Sequence, residues 1–118
     1  MFATIPVKDL KQAMDFYGNV LGLHIVDENP NGIWYQSGQT RIAVYESKYA
    51  GTNKATAAIF EVLDPDAIVE TLASKGVKFE KYDMPGVKRE GVIHMMGNFR
   101  AAWFTDPSGN IIAIGTHL

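Results

Sequence analysis

The chain opens on an apolar, partly β-branched run, Phe2-Ala3-Thr4-Ile5-Pro6-Val7, which predicts a strand. Asp9 then stands where a helix N-cap belongs, with Gln12 three residues on in the capping-box position. Leu10, Met14, Tyr17 and Leu21 follow at helical spacing, and Gly22 marks the helix end. Apolar runs over 23–26, 33–36 and 41–45 predict three more strands, divided by the turns Asn29-Pro30-Asn31-Gly32 and Ser37-Gly38. Ala50-Gly51-Thr52-Asn53 breaks the pattern, and the same order then returns. A strand over 56–62 leads to a helix that starts at Asp64-Pro65, buries Ile68, Val69 and Leu72, and ends at Gly76. Strands are expected over 77–82, 99–105 and 111–114, with 93–96 either a short strand or a lead-in. Met84 to Gly91, rich in Pro, Gly and charge, predicts a mobile loop. Asp106-Pro107-Ser108-Gly109 has the residue order of a type I turn.

The halves also match residue by residue. Ile5-Pro6-Val7-Lys8-Asp9 aligns with Phe60-Glu61-Val62-Leu63-Asp64, and Gly22-Leu23-His24-Ile25 with Gly76-Val77-Lys78-Phe79. Trp34-Tyr35-Gln36 aligns with Trp103-Phe104-Thr105, and Arg41-Ile42-Ala43-Val44 with Ile111-Ile112-Ala113-Ile114. Four matches in one order argue for an internal duplication. The expected fold is α+β: a single domain of two tandem β-α-β-β-β modules, about 1–49 and about 54–118. Together they are expected to form an eight-stranded mixed sheet curled around a cleft. Strand alternation puts Ile5, Val7, Ile42, Val44, Phe60, Val62, Ile112 and Ile114 on the helix side. Thr4, Arg41, Ala43, Tyr45, Ile59, Glu61 and Ala113 take the other side. With Tyr35 and Phe104 under the helices, Trp34 and Trp103 face the cleft as a pseudo-symmetric pair. A face with Arg, Tyr, Glu and two Trp among small alanines suits a ligand.

Composition narrows the function classes. The 118 residues are 47% hydrophobic with a net charge of −2, which suits one folded domain. The longest positive cluster, Lys88-Arg89, is followed at once by Glu90, so no basic stripe is available for nucleic acid. The absence of cysteine excludes disulfides, thiolate zinc sites and cysteine nucleophiles. No apolar run approaches the roughly 20 residues that span a bilayer, and no signal pattern precedes the first strand, so a cytoplasmic protein is expected.

Certain phrases are shared with a known family. Val7-Lys8-Asp9-Leu10, Asp15-Phe16-Tyr17 before Leu21-Gly22-Leu23, and the ending Trp103 to Asn110 with its Asp106-Pro107-Ser108-Gly109-Asn110 all resemble the vicinal oxygen chelate superfamily. That group includes glyoxalase I, bleomycin-resistance proteins, fosfomycin-resistance enzymes and extradiol dioxygenases, and the resemblance covers essentially the whole chain. It implies the paired-module fold and a homodimer. Metal-dependent members carry one ligand, His or acid, on each of four strands, and the ion stabilises an enolate-like oxyanion. Those positions fall here on Phe2, Ala43, Ala57 and Ala113, none of which can bind a metal. Tyr45 or Glu46 is the alternative match for the second.

The expectation is a metal-independent small-molecule-binding protein with no cofactor, its ligand held by Trp34, Arg41, Tyr45 and Trp103. The alternative is a lyase, isomerase or dioxygenase-like enzyme drawing its acid or base from His94, Glu61 or Tyr45. A third reading is a filled cleft with a protein-binding surface. Each residue has an ordinary role too. His94 would be hydrogen-bonded, Arg41 paired with a cross-strand acid, Glu61 solvated, and the tryptophans packed as filling. His24 is expected in solvent, and His117 in a frayed terminus.

Overall fold

The computed structural model describes residues 1–117. Its contacts fall into two units, one of residues 1–57 with 106–111, the other of residues 58–105 with those from 112 on.

The first unit runs β1 (Ala3–Val7), α1 (Leu10–Met14), a π-helical segment (Asp15–Val20), β2 (His24–Asn29), β3 (Gly32–Ser37) and β4 (Thr40–Glu46). Its sheet has the order β1-β4-β3-β2, with β1 parallel to β4 and the other pairs antiparallel. Ile5, Val7, Ile33, Tyr35, Ile42 and Val44 are buried on one face with Ala13, Phe16 and Tyr17. Asp9 caps α1 as expected, its Oδ1 accepting from the amides of Lys11 (2.8 Å) and Gln12 (3.2 Å).

The helix departs from the expected spacing. Leu21 N–H donates to the Phe16 carbonyl at 2.9 Å, a π-type bond, so the turn widens after Met14. The widened turn buries Phe16 and Tyr17 together and leaves Met14 38% exposed. An unbroken 3.6-residue period would instead have aimed Met14 and Leu21 inward. Tyr17 is held in place because its hydroxyl donates to Asp106 Oδ2 at 2.7 Å.

That contact explains why the turn 106–111 clusters with the first unit. Asp106 Oδ1 accepts from the Ser108 and Asn110 amides at 3.0 and 2.8 Å, which fixes the predicted turn. Lys8 N–H donates to Ser108 Oγ at 2.8 Å, and the Asn110 amide group donates to the Pro6 carbonyl at 2.6 Å. Gly51 passes so close that a Cβ there would collide with the Ser108 carbonyl oxygen, and its φ of +73° also favours glycine.

The second unit carries α2 (Pro65–Ser74) and a sheet of β5 (Thr56–Glu61), β6 (Lys88–Glu90), β7 (Ile93–Met96), β8 (Phe99–Thr105) and β9 (Ile111–His117), in the order β5-β9-β8-β7-β6. Asp64 caps α2 with Pro65 in its first turn, as expected. Both units thus repeat the β-α-β order of the α+β class. Nine strands occur among the described residues, four in one sheet and five in the other.

Two segments differ from expectation. Residues 77–82 do not form a full strand: only Phe79 bridges Phe104, with Glu80 N–H donating to the Trp103 carbonyl at 2.8 Å. The rest of that edge of β8 is taken by β7, and Tyr82 N–H finds its acceptor in His94 Nε2 at 2.9 Å. The segment 84–91, expected as a mobile loop, contributes β6, which pairs with β7 at Lys88↔Met95, Arg89↔His94 and Glu90↔Ile93. Its turn is closed by Arg89, whose guanidinium donates to the Gly91 carbonyl at 2.7 Å.

Candidate functional site

In the first unit, cross-strand register fixes which side chains share the face away from the core. One row runs Thr4, Ala43, Trp34, Asp27; the next runs Pro6, Tyr45, Gly32, Asn29. Arg41 stands opposite Gln36, which stands opposite His24. The structure therefore brings Trp34, Arg41 and Tyr45 onto one surface around a floor of Ala43 and Gly32. Gly32 keeps that floor low: a Cβ there would sit 3.6 Å from Tyr45 Cβ and 3.0 Å from the Val44 carbonyl. Phe2, which the family alignment assigns to a metal position, instead meets Trp34 edge to face, with ring centroids 4.8 Å apart. Tyr45 is 40% exposed, and Trp34 is half-buried. Arg41 faces Gln36 rather than an acid, and no ion pair engages it among the described residues.

Trp103, His94 and Glu61 belong to the second unit. His94 pairs with Ala101 across β7 and β8, so it shares a face with Trp103. The two rings meet at right angles, 5.1 Å between centroids, and Tyr82 lies 5.7 and 5.8 Å from them. His94 is fully buried with both ring nitrogens engaged: Nδ1 lies 2.9 Å from the Val92 carbonyl, and Nε2 accepts from Tyr82 N–H. These partners require the neutral tautomer with the proton on Nδ1. Burial, and then the nearby Glu80 carboxylate, raises the Tyr82 phenol above its ordinary pKa.

Glu61 ends β5 on the rim of an open pocket of about 490 Å³ lined by Ile59, Glu61, Phe99, Gly115 and His117. His117 ends β9, which continues past Ile114 to reach it, and its ring lies 4.8 Å from that of Phe99. Sequence reading missed this. Extending the alternation of Ala113 and Gly115 by two residues would have put His117 on the same face. His24, expected in solvent, is exposed on β2.

A divalent ion, as the metal-dependent relatives use, needs donors that the four positions aligned with the family's ligands do not supply. Phe2, Ala43, Ala57 and Ala113 offer only hydrocarbon. On β4, Tyr45 opposes Pro6, and Glu46 opposes Val7 at the strand end. Among the described residues no group of three or more His, Asp or Glu could hold a metal ion. The residues present do not fit the metal. No described helix is long and apolar enough to cross a membrane.

No curated protein sequence matches the chain. Solved structures do. The fosfomycin resistance protein FosX from Listeria monocytogenes is 15% identical with a TM-score of 0.75, covering 100% of this chain and 92% of that one. The antibiotic binding protein TnmS3 from a Streptomyces species is 19% identical with a TM-score of 0.71, covering 100% and 96%. A lactoylglutathione lyase from Agrobacterium tumefaciens is 17% identical with a TM-score of 0.72, covering 98% and 91%. At these identities the likeness shows the fold. The family profile reaches further, matching residues 2–114. The chain belongs to the glyoxalase/bleomycin resistance protein/dioxygenase superfamily, the vicinal oxygen chelate group that its motifs resemble.

Proposed function

We propose that this protein binds a small, partly aromatic molecule without the help of a metal ion. One observation carries the reading: register places Trp34, Tyr45 and Arg41 on the open face of the first sheet around a floor of Ala43 and Gly32. Trp34 supplies a flat apolar surface, braced from the side by Phe2. Tyr45 offers a hydroxyl, and the unpaired Arg41 fork suits a phenolic or anionic oxygen. The antibiotic-binding relative lends support, as does the hydrocarbon at the family's four metal positions. Trp103, packed on His94 and Tyr82 in the second unit, is assigned to binding by the same reading and has its own variant below. A homodimer, through the sheet edges left open, belongs to the reading too.

The test is a tryptophan-fluorescence titration with naphthol and naphthoate, before and after chelator treatment. Saturable binding that survives the chelator is expected, and Trp34→Leu should weaken it about tenfold or more, the loss expected for a central aromatic contact. Trp103→Phe reads out the second ring separately. Failure of every ligand to saturate, or binding lost with the chelator, would overturn the reading.

A further inference from the structure

We infer that the pocket of the second unit, lined by Ile59, Glu61, Phe99, Gly115 and His117, is a site for a protonated amine carried on an apolar, flat body. It shares no residue with the first unit's face and stands whether or not that face binds anything.

The pocket's chemistry is one-sided. Ile59, 51% exposed, and the Phe99 ring make apolar walls. Among the described residues Glu61 is the only fixed charge in the lining and none neutralises it: the ion pairs among them are Arg89 with Asp83 and Arg100 with Asp66. Arg100, next to Phe99, points its side chain to the opposite face of β8, where it meets Asp66 of α2 at 2.9 Å. A lone carboxylate beside aromatic surface attracts a cation twice, through charge and through the ring face. His117 adds an imidazole nitrogen, an acceptor when neutral.

Gly115 is what makes the hollow. A Cβ there would stand 2.5 Å from Phe99 Cζ and 3.0 Å from the Arg100 carbonyl, so any other residue would lift the Phe99 ring off β9. The resulting volume of about 490 Å³ lies within the range of sites for small organic ligands.

The test uses the whole chain and three probes that share one body: 2-naphthylethylamine, 2-naphthylethanol and 2-naphthylacetate. Mildly alkaline buffer keeps the amine charged. Affinities come from amide chemical-shift titration, which also maps the site. The amine should bind about fivefold to tenfold tighter than the alcohol, with the carboxylate weakest and with shifts centred on Ile59, Phe99 and Gly115. Glu61→Gln, an exposed change of equal size, should remove the amine's advantage and leave the alcohol's affinity unchanged. Trp34→Leu removes naphthyl binding on the first unit's face, and the amine's preference, read from the shifts at Ile59, Phe99 and Gly115, should persist in it. Equal binding of amine and alcohol at these residues, no effect of Glu61→Gln, or no shifts at these residues would each overturn the inference.

Discussion

Tyr17 and Tyr35 stand with their rings 6.2 Å apart in the first unit, both fully buried, yet their hydroxyls differ in circumstance. The Tyr17 hydroxyl donates to Asp106, whereas the Tyr35 hydroxyl has no partner among the described residues. The same atom deletion should therefore have opposite signs. Tyr17→Phe should cost roughly 1–2 kcal/mol, because a charge-assisted bond is lost, whereas Tyr35→Phe should be neutral or stabilise by up to about 1 kcal/mol. Denaturant unfolding of the two variants reads this directly. Burial, and then the Asp106 carboxylate, pushes the Tyr17 phenol far above its ordinary value of 10.0. A raised folded-state pKa means that its stabilisation is complete below the unfolded value. It is lost as pH climbs above about 10, where only the unfolded tyrosine ionises, by up to about 1.4 kcal/mol per pH unit. Burial also raises Tyr35, with Glu28 as the lesser cause. Stability curves from pH 8 upward (about two units on either side of the phenol midpoint) should thus be flatter in Tyr17→Phe than in the parent; parallel curves would contradict the assignment.

At the scale of elements, the sequence was most legible where a local rule decides the outcome. Asp9 and Asp64 announce their helices because a capping carboxylate needs only the next few amides. Ile42 and Val44 are buried and Arg41 and Tyr45 exposed because alternation along β4 is unbroken. The same alternation made the placement of Trp34, Arg41 and Tyr45 on one face readable in advance. It was less legible where distant partners decide. The π-helical turn answers to Asp106, 89 residues away. The segment 77–82 carries strand-like residues, yet the edge it would pair with is shared with β7, whose place no local pattern discloses. His94 joins these pieces, since its ring replaces a missing strand as the acceptor for Tyr82 N–H. His94→Ala should therefore cost roughly 2–4 kcal/mol, through the buried amide left unpaired and the space beside Trp103. Hydrogen exchange should show the amide of Tyr82 losing protection first. Loss confined to some other element would argue that the ring is mere packing.

At the scale of the whole molecule, β2 is an edge strand with every residue exposed, Ile25 at 44% and Val26 at 43%. Unpaired edges bearing apolar side chains invite a second chain, although Asp27 and Glu28 temper this one. Light scattering should return twice the 13.0 kDa chain mass, and Val26→Lys should shift it towards the monomer. A single-chain mass for the parent protein would remove the homodimer from the reading.

The turn at 106–111 bears on how the chain comes into being on the ribosome. Its bonds to Tyr17, Lys8 and Pro6 span 89, 100 and 104 residues. The first unit, although nearly all its strands are made early, lacks the partner of its buried tyrosine until residue 106 has been made. Such long closures slow folding, and they delay completion of the first unit until residues 106–110 have left the ribosome. A nascent chain stalled before residue 106 should accordingly be open to protease in its first sixty residues or so, and a longer one with residues 106–110 clear of the ribosome should be closed.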